Sequence, residues 1–156
     1  MIVLRELSAE DWADWRELRL AALREAPHAF GAKLADWQGA GDTEHRWRHR
    51  LDGGSLNLLA AFDGTPAGMA GGMPPDRDGT VELISMWIAP FARGRGVGDA
   101  LVTAVVQWAE EQGARRVALR VFTDNRHAAN LYLRHGFLDR GAVGRERRLV
   151  REAGVS

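Results

Sequence analysis

The residues of this chain best suited to chemistry sit between Val81 and Leu101, in the run VELISMWIAPFARGRGVGDAL. Inside it, Arg93-Gly94-Arg95-Gly96-Val97-Gly98 sets three glycines and two arginines between an apolar stretch and the start of a helical pattern. Glycine lets the backbone turn tightly and leaves no Cβ between an amide and an approaching oxygen. Such amides, joined to a helix N-terminus, favour a phosphate or pyrophosphate, and Arg93 or Arg95 can add a charge-assisted hydrogen bond. A flexible turn with arginines for solubility fits the same six residues, because short glycine motifs are weak signals. Spacing excludes two other phosphate loops: no Lys stands where a Walker A loop requires one, and Gly94-x-Gly96-x-Gly98 is not G-x-G-x-x-G. Glu82 is the only acid of the apolar run before the turn, and Tyr132 is the only tyrosine of the chain.

The surrounding pattern predicts the elements that must place these groups. Ile2 to Glu6 reads as a short strand. Ser8 with Asp11 resembles a capping box, and Trp12, Trp15, Leu18, Ala22 and Leu23 recur at helical spacing, so a first helix runs to about Glu25 and Pro27 ends it. A second helix is expected around Thr43 to Leu51. Leu56 to Phe62 and Pro66 to Met73 flank Asp63-Gly64, a hairpin turn, and Val81 to Ile88 is apolar on both faces apart from Glu82 and Ser85, as a central strand is. Asp99 to Gln112 is a helix with Leu101, Val102, Val105, Trp108 and Ala109 on one face and Gly113 as its stop. Arg116 to Val121 is a strand, Asn125 to His135 a short helix closed by Gly136, and strands near Phe137 to Val143 and Glu146 to Arg151 follow. The order β-αα-βββ-α-β-α-ββ predicts an α/β (α+β) fold, a mixed sheet flanked by helices, not a doubly wound repeat.

Composition narrows the classes. A length of 156 residues predicts one domain, residues 1–156, and a composition 46 % hydrophobic and 27 % charged argues against disorder. Cysteine is absent, which excludes a disulfide framework, a thiolate metal site and a cysteine nucleophile. Basic and acidic residues number 21 each, without the basic excess of a nucleic-acid binder. The zero is a cancellation: residues 1–89 carry 9 basic and 14 acidic groups, and residues 90–156 carry 12 and 7. No apolar run is long enough for a membrane helix and no secretory signal is visible, so a cytoplasmic protein without a membrane partner is expected. His45 and His49 share a helical spacing but lack a third ligand, so no metal is expected.

The run from Val81 resembles motif A of the GCN5-related N-acetyltransferases (GNAT), [RQ]-x-x-G-x-[GA], with Arg93, Gly96 and Gly98 in register and Pro90 before it. A second block, Asn125 to Phe137, is similar to the family's N-x-x-A-x-x-x-Y-x-x-x-G-F segment. The order of elements agrees with the GNAT fold. The LRLAALREAPHAFG segment resembles an N-terminal pattern of bacterial members. One departure is Asp99, where the family often carries Ser, Thr, Lys or Arg; its carboxylate suits a helix N-terminus and is expected to point away from a phosphate.

The resemblance implies direct acetyl transfer from acetyl-CoA, as cosubstrate, to an amine. Glu82 then falls where many members carry a base, and burial beside Leu83 and Ile84 predicts a raised pKa; a strand-end Glu paired with an arginine is the other reading. Tyr132 falls on the family's tyrosine, the acid that protonates the leaving thiolate, or else packs as a helix aromatic. The backbone at Trp87 and Ile88 is implied to hold the pantetheine arm, and Gly94, Arg95, Val97 and their neighbours the pyrophosphate. Asn125 is either the family's asparagine beside the pantetheine or a helix N-cap. The acceptor side is expected from the first two helices, their connecting loop and the end of the chain, with Arg19, Phe30, Gly31 and Trp37 as lining residues. A net-negative N-terminal part hints at a cationic amine, the acceptor being a small molecule or a peptide. The resemblance makes a homodimer one expected assembly. A non-catalytic GNAT-fold module that binds acetyl-CoA or another ligand is the alternative function. A nucleotide or nucleic-acid binder using Arg145, Arg147, Arg148 and Arg151 is a third reading, weakened because no aromatic residues interleave those arginines.

Overall fold

In a computed structural model, described here for residues 1–26 and 34–154, seven strands form one sheet. They are β1 (Ile2–Glu6), β2 (Leu56–Phe62), β3 (Thr65–Gly72), β4 (Thr80–Ile88), β5 (Arg116–Phe122), β6 (Leu138–Val143) and β7 (Glu146–Glu152). The helices are α1 (Trp12–Glu25), α2 (Glu44–Leu51), α3 (Val97–Glu111) and α4 (Arg126–Arg134). Short 3-10 turns at Ala9–Asp11, Leu34–Trp37, Gly39–Gly41 and Pro90–Ala92 lie between them. Strand order is β1-β2-β3-β4-β5-β7-β6, and only the β4–β5 pair is parallel. This is the mixed α/β sheet flanked by helices that the order of elements predicted.

Each side of the sheet has its own core. On one side α3 buries Val97, Leu101, Val102, Val105 and Ala109 against Leu56, Leu58, Ala70, Val81 and Leu83, continuous with Tyr132 and Phe137. On the other side α1 and α2 bury Trp15, Leu18, Trp47 and Leu51 with Leu59, Met69 and Trp87. Trp12 and Trp108, expected on the apolar faces of their helices, are partly buried and pack at the margins of the two cores. Small residues on β3 seat α3: a Cβ on Gly72 would lie 3.1 Å from the Trp108 ring, and one on Gly68 3.3 Å from Val97. The α1–α2 pair is tied by Asp42, which accepts hydrogen bonds from Arg16 Nε and Trp47 Nε1, each at 2.8 Å.

Helix boundaries follow local chemistry. Ser8 N–H donates to Asp11 Oδ2 at 2.9 Å, so the expected capping pair closes a 3-10 turn ahead of α1. Thr43 Oγ1 accepts from Arg46 N–H at 3.2 Å and starts α2. Helix α3 begins two residues before the expected Asp99, because Gly96, at φ 88°, already completes the turn and acts as N-cap. Asp63 and Gly64 both take positive φ, as the tight β2–β3 hairpin requires.

A bulge in β4 decides which groups face which side. Gly71 pairs with Ile84 but Met69 with Trp87, so residues 85–86 of β4 oppose the single residue 70 of β3. Ser85 absorbs the extra residue at φ 59°, a left-handed conformation uncommon for serine. Alternation therefore changes phase: Val81 and Leu83 face α3, whereas Trp87 faces α1 and α2. The β3–β4 approach beside the bulge leaves no room for a side chain, since a Cβ on Gly68 would sit 2.8 Å from the Trp87 carbonyl oxygen. Gly68→Ala is expected to destabilise the fold by about 1–3 kcal/mol, read as a lowered midpoint in urea unfolding; an unchanged midpoint contradicts this packing.

Candidate active site

The site begins where the sheet stops being a sheet. Strands β4 and β5 pair only through Thr80–Arg116, Val81–Val117 and Glu82–Ala118. Beyond Glu82 they diverge, and the β5-facing edge of residues 83–88 has no strand partner among the described residues. Strand β5 continues regularly on its other edge, paired with β7 from Arg116 to Phe122. Unpaired backbone groups must find water or a ligand. Two clefts open on this gap, of about 950 and 440 Å³, and both are lined by Met86, Asn125 and Ala128.

The larger cleft runs along Trp87 and Ile88 to the glycine turn and the start of α3, with Ala128 and Leu131 of α4 as its opposite wall. Gly94 and Gly96 take φ 74° and 88°, so both adopt the left-handed backbone that glycine permits. Gly96, Val97 and Gly98 line the cleft, and a Cβ on Gly98 would lie 3.0 Å from Leu131. The first amides of a helix have no partner within it, so the turn and the start of α3 suit an anion. Asp99 lines the same cleft rather than standing clear of it as expected, and its Oδ1 is held by His135 Nε2 at 2.8 Å and Arg134 at 3.1 Å. Those hydrogen bonds, His135 foremost, hold the Asp99 carboxyl below its ordinary pKa.

Glu25, at the end of α1, fastens the turn. Its Oε2 accepts from Arg93 at 2.7 Å and from the Trp87 indole at 2.9 Å, while Arg93 Nε donates to the Ile88 carbonyl at 3.0 Å. Arg93 thus lines the cleft with part of its guanidinium already bound to protein. Arg95, the other expected anion partner, lines neither cleft; its guanidinium lies 5.4 Å over the Phe62 ring.

The smaller cleft lies toward α1 and α2 and holds Arg19, Arg50, Glu82, Ser85, Tyr132 and Glu146. Glu82 is not buried as expected: its side chain is 42 % exposed and pairs with Arg120 at 3.2 Å. The apolar neighbours Leu83 and Ile84 share its strand, but β5 brings Arg120 beside it from 38 residues away. Tyr132 is buried, edge-on to Phe137 with ring centroids 5.9 Å apart, and burial pushes its phenol well above its ordinary pKa. Asn125 does what its N-cap reading predicts, accepting from Ala128 N–H at 3.2 Å, and still lines both clefts.

Of the expected acceptor-side residues, Arg19 lines the smaller cleft. Trp37 lines neither cleft; its ring packs 4.4 Å from Trp47 under the Arg46 guanidinium. Phe30 and Gly31 lie outside the described residues. The structure adds Glu25, Arg50, Ser85 and Arg120, which sequence reasoning passed over. Arg50 alone carried a local signal, since it falls three residues after Trp47 and one before Leu51, on the buried side of α2.

Arg93 first and Trp87 second hold the Glu25 carboxyl below its ordinary 4.5. A carboxyl lowered in the folded state contributes stability above 4.5 that is lost as pH falls through the lowered value. Glu25→Gln removes that contribution. The thermal midpoint of the native chain is expected to exceed that of the variant at pH 7, and the gap to close as pH falls below 4.5. A gap that stays constant down to pH 3 contradicts the assignment.

Comparison with known proteins bears on this geometry. Over 134 residues the chain is 29 % identical to the mycothiol acetyltransferase of Renibacterium salmoninarum, a match covering 82 % of this chain and 38 % of that protein. The chain spans about a third of the length of the curated relatives it matches. Its fold is similar to that of the paia N-acetyltransferase of Thermoplasma acidophilum, solved with coenzyme A, at TM-score 0.75 and 19 % identity over 97 % of this chain and 99 % of that one. It is equally similar to the yncA protein of Salmonella typhimurium, solved with acetyl-CoA, at TM-score 0.77 and 18 % identity over 100 % and 96 % of the two chains. At such identities the likeness is one of fold. The sequence itself matches the Acetyltransferase (GNAT) family over residues 7–137, and the chain belongs to that family.

Proposed function

We propose that this chain transfers an acetyl group from acetyl-CoA directly to a primary amine. The observation that carries this reading is the meeting of two clefts at one gap in the sheet, which brings a thioester from one side and an amine from the other into reach. The residues present fit the cosubstrate. Gly94 and Gly96 turn the backbone without a Cβ, the first amides of α3 face a phosphate, and the cleft of about 950 Å³ suits an extended ligand. Coenzyme A and acetyl-CoA in the two solved structures of this fold support the same ligand. When bound, acetyl-CoA supplies the acetyl group as an activated thioester.

The chain's own groups then divide the work. Unpaired backbone along residues 83–88 holds the pantetheine arm and offers donors where negative charge develops on the thioester oxygen. Glu82 takes the proton of the incoming ammonium. Four residues of strand, roughly 13 Å, separate it from Met86, so this proton travels through water in the open cleft. Tyr132 keeps its own proton at neutral pH because burial disfavours the phenolate. Free thiols ionise near about 8.5, below such a phenol, so Tyr132 stabilises the departing thiolate by donating a hydrogen bond rather than by complete transfer.

Tyr132→Phe keeps the ring and removes that donor. It is expected to lower kcat about 10²-fold while the Kd for coenzyme A stays within threefold, measured by thiol release and calorimetry. An unchanged kcat across the pH profile contradicts the role. Gly96→Glu places a side chain at φ 88° and a carboxylate at the anion cradle. It is expected to abolish coenzyme A binding with the circular dichroism spectrum retained, and undiminished binding contradicts the cofactor cleft.

A further inference from the structure

The smaller cleft continues past Glu82. A hollow of about 130 Å³ shares Glu82 and Arg120 with it. The same hollow shares Asp76, Thr80 and Arg148 with a further cavity of about 590 Å³. Thr80, Glu82, Arg120 and Arg148 alternate along their strands with Val81, Leu119 and Leu149, which belong to the core under α3. The three hollows therefore follow one another along the sheet face turned away from α3. They run from the gap at Met86 toward the starts of β4 and β5. From Met86 back to Thr80 is six residues of strand, roughly 20 Å.

Charge changes along this path. Near the gap Arg120 is tied between two carboxylates, 3.2 Å from Glu82 and 3.8 Å from Glu146. The far cavity is lined by Arg77, Arg115, Arg116, Arg140 and Arg148 against Asp76, Asp78 and Glu152. Glu152 pairs with Arg116 at 3.3 Å, and Asp76 Oδ1 accepts from the backbone N–H of Asp78 at 2.9 Å and of Thr80 at 3.0 Å. Among the described residues Arg77, Arg115, Arg140 and Arg148 form no ion pair. Exposed arginines are ordinary on a protein surface; these stand at the end of a path that starts at the reaction site. The middle of the path has neither an apolar floor for a lipid chain nor a run of cations for successive phosphates.

A small amine occupies only the near cleft and reaches none of these arginines. An extended polypeptide covers the same distance in about six residues. Resting on the acetyltransferase reading, we propose that the acceptor is the amino terminus of a polypeptide laid along this face. Its α-amine sits at the gap, and acidic side chains about five to seven residues on meet Arg115, Arg140 and Arg148. Guanidinium forks suit carboxylates, and a cluster of one sign selects a segment of the other. The cationic acceptor suggested by the negative N-terminal part of the sequence suits the near end alone.

The test uses the full chain, acetyl-CoA and synthetic octapeptides at low salt, with thiol release as readout. Each common residue stands in turn at position 1, and positions 5–7 carry Glu, Gln or Lys. For the best first residue, kcat/KM is expected to fall about fivefold or more from Glu to Gln, the scale of a few exposed ion pairs, and further to Lys. The same Glu residues moved to positions 2–4 should lose that advantage. Arg140→Glu combined with Arg148→Glu, checked for folding by circular dichroism, is expected to reverse the order and make the Lys peptide the better substrate. A merely structural role for these arginines does not produce that reversal. Equal turnover of the Glu, Gln and Lys peptides, an unchanged order in the double variant, or small amines outpacing every octapeptide overturns this inference and leaves acetyl transfer standing. Binding of acetyl-CoA without thiol release from any amine or peptide overturns both.

Discussion

The chemistry of this fold depends on one constraint in its sheet: β4 pairs with β5 for three residues and then leaves it. A parallel pair running its full length would satisfy the backbone of residues 83–88 and close the gap between the clefts. Divergence leaves those groups without a strand partner on that edge, and both clefts border the gap at Met86, Asn125 and Ala128. Several features follow from it. The bulge at Ser85 reorients β4 as it departs, the glycines of β3 let the neighbouring strand and α3 close in behind it, and α4 supplies Asn125, Ala128 and Tyr132 to the opened wall.

The end of β4 still has to be held, since a strand without a partner on one edge is free to shift. Glu25 does this with a single carboxylate oxygen that binds both Trp87 and Arg93. It couples α1 to the end of β4 and to the glycine turn. Arg93 therefore fastens the turn, with part of its guanidinium already bound to Glu25 and the Ile88 carbonyl. Asp99, in the first turn of α3, is hydrogen-bonded by His135 and Arg134. The zero net charge of the chain hides this arrangement. Opposite charges are placed residue by residue: Glu82 and Glu146 line the smaller cleft together with Arg19, Arg50 and Arg120.

Much of the fold was legible in sequence because its signals are local. Periodicity located α1 and α3, Asp63-Gly64 located the β2–β3 hairpin, and the order of elements predicted the sheet. The glycine turn was legible because left-handed backbone demands glycine at Gly94 and Gly96. What was not legible depends on partners distant in sequence. Glu82 sits among apolar neighbours in its own strand, which suggested burial, but Arg120 of β5 meets it at the mouth of the cleft. Nothing about a serine at position 85 announces a positive φ, because the requirement comes from the register with β3. Trp37 looked like a lining residue by its place between two helices, yet stacking on Trp47 and Arg46 draws it away from the clefts.

Amide hydrogen exchange tests the role of the diverging strand most directly, comparing the free chain with the chain saturated by coenzyme A. The account predicts that the ligand slows exchange along residues 83–88, where β4 lacks a strand partner, and along residues 94–99 at the start of α3. Residues 80–82, already paired with β5, should change little. Slowed exchange that spares residues 83–88, or none at all with coenzyme A demonstrably bound, contradicts the claim that the opened edge of β4 holds the cosubstrate.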